Sequence, residues 1–271
     1  MTTYSPVLCY HRIGGPLELG VTRVGRSVFA RQMTALARAG WKTVTLEQYG
    51  TVVRRADMPT CNKFLLTFDD GYASLADNAY PFLADLGYTA TTFLITDYVG
   101  QTNTWDMRYT WDRLQHLRWQ EIERWQARGF DFASHGATHR RLTWLDDAAL
   151  VSELERSRDL LISRLGAGAG RAVAYPFGAA DTRVLRHAQS AGYELGFGGV
   201  RGNGTPMHLS RVPVYFWDFG NVPFGLREDA VGALGRIVAH AANRCAVGTS
   251  VMQRLGGLAV ERFGVSNRQT A

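Results

Sequence analysis

Two adjacent carboxylates directly follow a short apolar run. Residues 64–68 read Phe-Leu-Leu-Thr-Phe and lead into Asp69, Asp70 and Gly71. An uncharged run of this kind predicts a buried strand, and β/α proteins place their active sites at the carboxyl ends of such strands. Adjacent carboxylates repel each other, and a divalent cation is the usual means of offsetting that repulsion. The alternative is an Asp-Asp-Gly turn in which one carboxylate caps the next helix.

Two histidines follow a second predicted strand, at residues 130–134. His135 and His139 are four residues apart, a spacing that on one helical turn brings two imidazoles to one metal ion. The alternative is a capped surface helix, but a carboxylate pair at another strand end favours a metal site made of Asp70, His135 and His139. Three protein ligands leave a position for water, which is typical of a catalytic site. We therefore expect hydrolysis, with Asp69 taking a proton from a water that the metal acidifies.

These motifs resemble those of a known family. Thr67-Phe68-Asp69-Asp70-Gly71 and His135-x-x-Thr138-His139 are similar to the first two motifs of the polysaccharide deacetylases, the NodB-homology or carbohydrate esterase family 4, and Ala174-Tyr175-Pro176-Phe177-Gly178 is similar to the third. The resemblance extends over about residues 5 to 215. It implies a distorted β/α barrel, Asp69 as catalytic base, and Asp70, His135 and His139 as metal ligands.

The sequence departs from the family pattern in its third motif. Many members carry an arginine there that orients the catalytic base, whereas this chain has Ala174. Arg211, at the start of the last predicted strand, is our candidate replacement, because a guanidinium can hold a carboxylate with two hydrogen bonds. The alternative is an ordinary surface arginine.

A second departure concerns the general acid. Many members take it from a Leu-x-His motif near the C-terminus, and the sequence after residue 200 contains no such motif. The opening run 7–10 is instead followed by His11, which resembles a subset of the family in which this motif is moved to the N-terminus by circular permutation. His11 is therefore expected to protonate the leaving amine, as a histidine that titrates near neutrality can. The alternative is a structural histidine at the barrel mouth.

Further residues are candidates for contact with the substrate. Aromatic side chains near strand ends or in the long loop 96–110 either stack on a sugar ring or fill the core. The backbone N–H of Phe177 could stabilise an oxyanion, as the third motif implies. With Arg211, the candidate substrate-binding residues are Tyr72, Trp105, Tyr175, Pro176 and Phe177. His116 and His187 fall in helical pattern among charged residues, so we expect them to face solvent and assign them no role.

The expected function is removal of an N-acetyl group from an amino-sugar by a metal-dependent hydrolase. Zn²⁺ is the favoured metal, while Co²⁺, Ni²⁺, Fe²⁺ and Mn²⁺ also suit two histidines and a carboxylate. The alternative enzyme cleaves another non-peptide C–N bond, such as a formamide or ureide, on the same scaffold. A carbohydrate-binding protein with a decayed site is disfavoured, because Asp69 and all three candidate ligands are present.

Strands that alternate with helices predict parallel pairing and an α/β fold. We expect strands at 7–10, 41–46, 64–68, 90–95, 130–134, 173–175, 193–197 and 209–215. We expect helices at 27–40, 47–54, 111–128, 146–165 and 182–192, and a further helix that follows the 64–68 strand and runs to Leu86. Among these, Thr45 with Gln48, Asp146 and Thr182 are expected to cap helices. We favour a distorted parallel β/α barrel of about seven strands over residues 1–218. Residues 219–271 are expected to form a C-terminal helical extension that packs on the barrel or is partly mobile.

The charge, the hydropathy and the cysteine content of the chain limit the partners and the location that we expect for it. The 271 residues carry a net charge of +6 that is scattered along the chain, so we do not expect nucleic-acid binding. No window of 18 uncharged apolar residues and no secretory signal pattern is present, so the expected location is cytoplasmic. Peripheral membrane contact through the C-terminal region is left open, as is the oligomeric state. The 3 cysteines are odd in number and far apart, which favours buried thiols over disulfides.

Overall fold

One eight-stranded parallel sheet organises the molecule, and a second sheet in the described part of the chain has two strands. The computed structural model describes residues 4–15, 21–55, 62–104, 114–200, 202–223 and 226. Its strands are β1 (Val7–Tyr10), β2 (Arg12–Ile13), β3 (Arg23–Val24), β4 (Lys42–Thr43), β5 (Lys63–Phe68), β6 (Thr91–Leu94), β7 (Asp131–Ser134), β8 (Ala172–Ala174), β9 (Leu195–Phe197) and β10 (Val212–Pro213). Seven of these strands follow one path in the order β10-β1-β5-β6-β7-β8-β9, with β4 added beside β5. Every described strand pair is parallel.

The segment around β10 joins the two ends of this path. The N–H of Leu209 donates to Gly196 on β9 at 2.8 Å, and the N–H of Val214 donates to Cys9 on β1 at 2.9 Å. The chain between these residues therefore lies between β9 and β1 and completes a distorted β/α barrel. This confirms the predicted fold class. Because all strands are parallel, their carboxyl ends lie at one end of the barrel.

Alternate residues of the strands face the barrel interior and the surrounding helices, as the period of two requires. Leu65 packs in one cluster with Phe93 and Phe197, whereas Phe64 and Leu66 pack in a second cluster with helix residues. Strands that are buried on both faces favour uncharged residues at every position, which explains the uncharged run before Asp69. The one hydroxyl in that run, on Thr67, donates to the Leu8 carbonyl at 2.8 Å.

Helices connect the strands. They are α1 (Arg26–Arg38), α2 (Leu46–Arg55), α3 (Ser74–Asn78), α4 (Tyr80–Asp85), α5 (Trp119–Gln126), α6 (Asp147–Leu165) and α7 (Thr182–Ser190). Two caps are as predicted. The side chain of Gln48 accepts from the N–H of Thr45 at 3.1 Å, and the Thr45 hydroxyl accepts from the N–H of Gln48 at 3.2 Å. Asp146 accepts from the N–H of Ala149 at 2.8 Å. The third prediction is wrong by one residue, because Asp181 caps α7 by accepting from Val184 N–H at 2.8 Å.

Two predicted helices differ from those observed. The helix expected to run to Leu86 is divided into α3 and α4, because the ring of Pro81 leaves no N–H to continue the hydrogen-bond ladder across Ala79. Of the helix expected over 111–128, residues 111–113 lie outside the described residues, and α5 begins only at Trp119. Residues 114–117 form backbone bridges with other loops instead, such as that of Gln115 with Thr102.

Apart from residues 219–223 and 226, the predicted extension 219–271 lies outside the described residues. Within the described ranges, no helix is long and apolar enough to cross a membrane.

Candidate active site

The loop after β5 places both carboxylates at the carboxyl end of the barrel. Asp69 continues the strand, its N–H donating to the Tyr10 carbonyl at 2.9 Å. Asp70 then adopts a φ of 69°, in the left-handed region that residues with a Cβ rarely occupy. Gly71 also has a φ of 69°, and a Cβ there would lie 2.6 Å from Cδ2 of Leu94. The glycine is therefore required both for its backbone conformation and for its close approach to β6.

The loop after β7 supplies both histidines. His135 follows the strand directly, and its N–H donates to Leu94 of β6 at 2.8 Å. His139 has a φ of 61°, and residues 135–139 contain no helix. This corrects the expectation that a helical turn pairs the two imidazoles. A loop with positive φ at Gly136 and His139 brings the ring centroids to 4.8 Å instead.

Asp70, His135 and His139 form one candidate metal-ligand group. Oδ1 of Asp70 lies 3.5 Å from Nε2 of His135 and 3.4 Å from Nε2 of His139. One ligand atom from each residue lies within 4.8 Å of the other two, and all three residues are buried. Nδ1 of His135 lies 2.8 Å from the Ala174 carbonyl oxygen, which can only accept, so Nδ1 carries the proton and Nε2 keeps its lone pair. This donor set fits a divalent transition metal.

The surroundings keep both imidazoles in the form that binds a metal. Burial lowers the pKa of His135, and the positive charge of Arg211 lowers it further, although Asp69 acts in the opposite direction. Burial also holds the pKa of His139 well below its ordinary value, with a further contribution from His135. Both rings are therefore neutral near pH 7, and a neutral ring nitrogen is the ligand that zinc-type sites use.

Glu153 holds the histidine loop in place, and the sequence analysis assigned it no role. Its Oε1 accepts hydrogen bonds from the N–H of Thr138 at 2.6 Å and from the Thr138 hydroxyl at 3.0 Å. The side chain is buried on the face of α6 that also buries Leu150, Leu154 and Ser157. A carboxylate at helical spacing among buried positions is the signal that identifies such a residue, since an unpaired charge is costly there.

Arg211 binds Asp69 through both carboxylate oxygens. Nη1 donates to Oδ1 at 2.6 Å and Nη2 donates to Oδ2 at 2.8 Å, while Nε donates to the Gly198 carbonyl at 2.9 Å. The guanidinium is buried, so it is not an ordinary surface arginine. Burial alone raises the pKa of Asp69, but Arg211 and the nearby histidines outweigh it and hold that pKa below its ordinary value. The side chain of Asp69 is therefore a carboxylate at neutral pH.

A second group of candidate ligand atoms contains Cys9, His11 and Asp69. Cys9 is a buried free thiol whose Sγ lies 3.6 Å from Oδ2 of Asp69. Burial raises the pKa of Cys9, so the thiol keeps its proton and donates it to the carboxylate. Because both oxygens of Asp69 already accept from Arg211, the group with Asp70 is the better metal site.

His11 lies beside the predicted base. It follows β1, and one of its ring nitrogens lies within 4.8 Å of a carboxylate oxygen of Asp69. Its Nδ1 is buried and has no hydrogen-bond partner in the described part of the chain. Burial lowers the pKa of His11 to about 4, partly offset by Asp69. This corrects the expectation of titration near neutrality: the ring is neutral at pH 7 and carries a second proton only when one is transferred to it.

The predicted substrate-binding residues fall into different environments. Tyr175 is fully buried and donates its hydroxyl proton to Met207 O at 2.9 Å, which corrects the expectation that its ring faces substrate. Tyr72 is also buried, and one ring face stacks on His116 at a centroid distance of 5.1 Å. Pro176 is buried in the turn that follows β8. Phe177 in the same turn is half-buried and has a φ of 61°, and its ring centroid lies 4.8 Å from that of His139. Trp105 lies outside the described residues.

The two histidines that were expected to face solvent differ from each other. The His187 side chain is 27% exposed and lies 3.4 Å from Asp147 on α6. His116 is only 3% exposed, which corrects the prediction for that residue. Its Nδ1 lies 2.8 Å from the backbone oxygen of Asp70, and burial lowers its pKa to about 4. The sequence did not predict this contact, because it indicated a helix over 111–128, whereas residue 116 belongs to a loop.

Comparisons with known proteins identify the family of the chain. Residues 57–196 match the family model described as polysaccharide deacetylase. The chain is 27% identical over 191 residues to YxkH of Bacillus subtilis, covering 70% of this chain and 63% of that protein, so the match spans slightly less than two thirds of that relative. It is 24% identical over 204 residues to a Staphylococcus aureus protein named poly-beta-1,6-N-acetyl-D-glucosamine N-deacetylase, covering 70% of this chain and 67% of that protein.

The same fold occurs in a solved structure. The Streptococcus pyogenes deacetylase PplD, determined in complex with acetate, superposes with a TM-score of 0.70 at 22% identity, covering 79% of this chain and 93% of that chain. At this identity the likeness supports the fold. The family model covers Asp69, Asp70, His135 and His139 but neither His11 nor Arg211, so the circular permutation stays a prediction. Because the matched residues make up more than half of the chain, the chain belongs to the polysaccharide deacetylase family.

Proposed function

We propose that this protein is a metal-dependent hydrolase that removes N-acetyl groups from an amino-sugar. The observation that carries the proposal is the group of Asp70, His135 and His139 next to a carboxylate that Arg211 holds by two hydrogen bonds. The name of the Staphylococcus aureus relative supports an N-acetylated glucosamine as the sugar class. Zn²⁺ is the metal we favour, with Co²⁺, Ni²⁺, Fe²⁺ and Mn²⁺ as further candidates for two imidazoles and one carboxylate.

The proposed mechanism gives each polar side chain one task. Asp70, His135 and His139 would hold a divalent metal, which would supply the Lewis acidity that polarises a carbonyl and lowers the pKa of a water. Asp69 accepts the proton of the water that attacks the acetyl carbonyl, and Arg211 keeps both of its oxygens oriented. The backbone N–H of Phe177, in the turn beside His139, is our candidate donor to the developing oxyanion.

His11 is our candidate for proton delivery to the leaving amine. Its ring lies within 4.8 Å of the Asp69 carboxylate and is neutral at pH 7, so a proton taken up by Asp69 has a short route to it. The departing nitrogen needs that proton because an amide anion is a poor leaving group. The products are then acetate and a free amino-sugar. One proton of the water ends on the nitrogen, and the other is released when the acetic acid ionises.

Acetate release from defined substrates tests this proposal. The chain is stripped with a chelator, reloaded separately with each candidate metal, and assayed on N-acetylglucosamine oligomers, on the matching N-formyl sugars and on simple acetamides and ureides. We expect activity that needs added metal and is highest on the N-acetylated sugar. Asp69→Asn, which keeps the shape of the side chain but cannot accept the proton, serves as the matched inactive control. Hydrolysis confined to formamides or ureides would favour the other C–N bond class, and absence of activity with every metal would contradict the proposal.

A further inference from the structure

His116 contacts the metal-ligand loop directly. Its Nδ1 lies 2.8 Å from the backbone oxygen of Asp70. A carbonyl oxygen can only accept, so Nδ1 carries the proton and donates it. Asp70 is the candidate ligand with a φ of 69°, a conformation that needs support from its surroundings. The hydrogen bond from His116 provides such support at the carbonyl of that residue.

The segment that carries His116 is itself fixed to the same loop. We call residues 114–117 the brace segment. The N–H of Leu117 donates to Gly71 at 2.9 Å, and the N–H of Ala73 donates to Gln115 at 2.8 Å. These two bonds pair the brace segment antiparallel to the residues that follow Asp70, with Tyr72 opposite His116. The imidazole therefore has a defined position relative to the Asp70 carbonyl.

The other edge of the brace segment is paired as well. The N–H of His116 donates to Gln101 at 3.0 Å, and the N–H of Gly100 donates to Leu117 at 2.8 Å. The His116 ring stacks on Tyr72, with an interplanar angle of 24°, and lies 5.6 Å from the ring of Tyr98. Backbone pairing on two sides and aromatic contacts on the ring leave the side chain little freedom. A residue that contacts a metal ligand but not the metal must itself be held rigidly in order to fix the position of that ligand.

We propose that His116 is a positioning residue, which holds the Asp70 carboxylate in ligand geometry by donating its Nδ1 proton to the Asp70 carbonyl. The inference rests on the proposed function, because it assumes that Asp70, His135 and His139 bind the metal. His116 is not a fourth ligand: the group of candidate ligand atoms around Asp70 contains only those three residues in the described part of the chain.

Three substitutions separate the hydrogen bond from the ring. His116→Asn places an amide N–H near the position of Nδ1 and so keeps the donor. His116→Phe keeps the stacking on Tyr72 but removes the donor. His187→Phe is the matched control, because this histidine lies on α7, partly exposed and beside Asp147. Far-UV circular dichroism and melting of the metal-free proteins report whether each variant folds.

Cobalt affinity and the visible absorption of bound Co²⁺ are the readouts, measured by titration against a competing chelator. We expect His116→Phe to weaken Co²⁺ binding by about 10-fold or more and to change the absorption bands, since loss of an outer partner typically costs that much. His116→Asn should stay within about 3-fold of the parent, because one well-placed donor is retained. The His187→Phe variant should bind like the parent.

Two results would overturn the assignment. Parental affinity and spectrum in His116→Phe would show that the hydrogen bond does not position Asp70, and an equal loss in His116→Asn would show that the ring matters rather than the donor. If His116→Phe does not fold, His116→Gln replaces it, because its amide reaches the Nε2 position instead, and the same loss is expected. A parent chain that binds no Co²⁺ would contradict the metal site itself, which is a different outcome from equal binding by parent and variant.

Discussion

Replacing Arg211 with methionine tests the most constrained contact of the site. Methionine is unbranched and apolar and reaches about as far as the arginine Nε, so the substitution removes the charge and the donors of the guanidinium while it keeps the aliphatic part of the side chain. In the parent, Asp69 accepts two bonds from this guanidinium at 2.6 and 2.8 Å, and both side chains are only 4% exposed. In Arg211→Met the carboxylate stays buried and loses its main cation.

The burial of this ion pair determines how much unfolding free energy the substitution should remove. Breaking a buried ion pair by removing one partner typically costs about 3–5 kcal/mol of unfolding free energy. In a chain of this size, about 1 kcal/mol corresponds to roughly 2–4 °C in the melting temperature, which gives a loss of roughly 6–20 °C. Arg156→Met is the matched control: its side chain is 55% exposed, its partner Asp97 is 36% exposed, and we expect melting close to that of the parent.

The pH dependence of the melting temperature shows whether Arg211→Met is destabilised by the loss of the ion pair or by the loss of packing. In the parent, the pKa of Asp69 lies below its ordinary value of 3.8, so its contribution to stability is present above that pH and is lost only as the pH falls further. Without Arg211, burial is the dominant remaining influence and raises the pKa of Asp69. The variant therefore gains a proton on acidification, and its melting deficit should be smaller at pH 5 than at pH 7.5.

The assay is thermal unfolding of the metal-free proteins at both pH values, together with acetate release by the metal-loaded proteins. We expect acetate release to fall by about 100-fold or more, because Asp69 is no longer oriented. Arg211→Lys, which keeps the charge but offers no planar fork, should lie between parent and Arg211→Met. An Arg211→Met variant that melts like the parent, or whose deficit is the same at both pH values, would refute the reasoning.

Three further predictions concern the ligands, the base and the acid. His135→Ala or His139→Ala should lower bound metal and activity together, as metal analysis and acetate release would show, and full occupancy in either variant would remove that residue from the ligand set. Asp69→Asn should keep its metal but lose turnover; near-parental turnover would exclude Asp69 as base, and loss of metal would make it a ligand. His11→Ala should keep fold and metal but lose about 100-fold or more in kcat on an amide, and less on an activated ester whose leaving group needs no proton. Equal losses on both substrates would contradict the acid role.

The order of elements and the residues of the family motifs could be predicted from the sequence, because both are local signals. An apolar run that ends in two aspartates predicts a buried parallel strand with polar residues at its carboxyl end, and β5 has that arrangement. The helix caps at Thr45 and Asp146 were predictable for the same reason, since capping involves residues three positions apart. Arg211 could be proposed as the partner of Asp69 because the expected arginine was missing from the third motif and a guanidinium fits a carboxylate.

The geometry that makes these residues a site depends on contacts between distant parts of the chain. His135 and His139 approach each other through a loop with a left-handed residue, not through a helical turn, and Glu153 on α6 holds that loop. The helical spacing of its neighbours predicted that His116 faces solvent, yet its segment pairs with the loop of Asp70, 46 positions away in sequence. Burial likewise decides the protonation state of His11, which the sequence placed near neutrality. Spacing reports neighbours along one element, whereas desolvation and hydrogen bonding between loops arise only when the barrel brings those loops together.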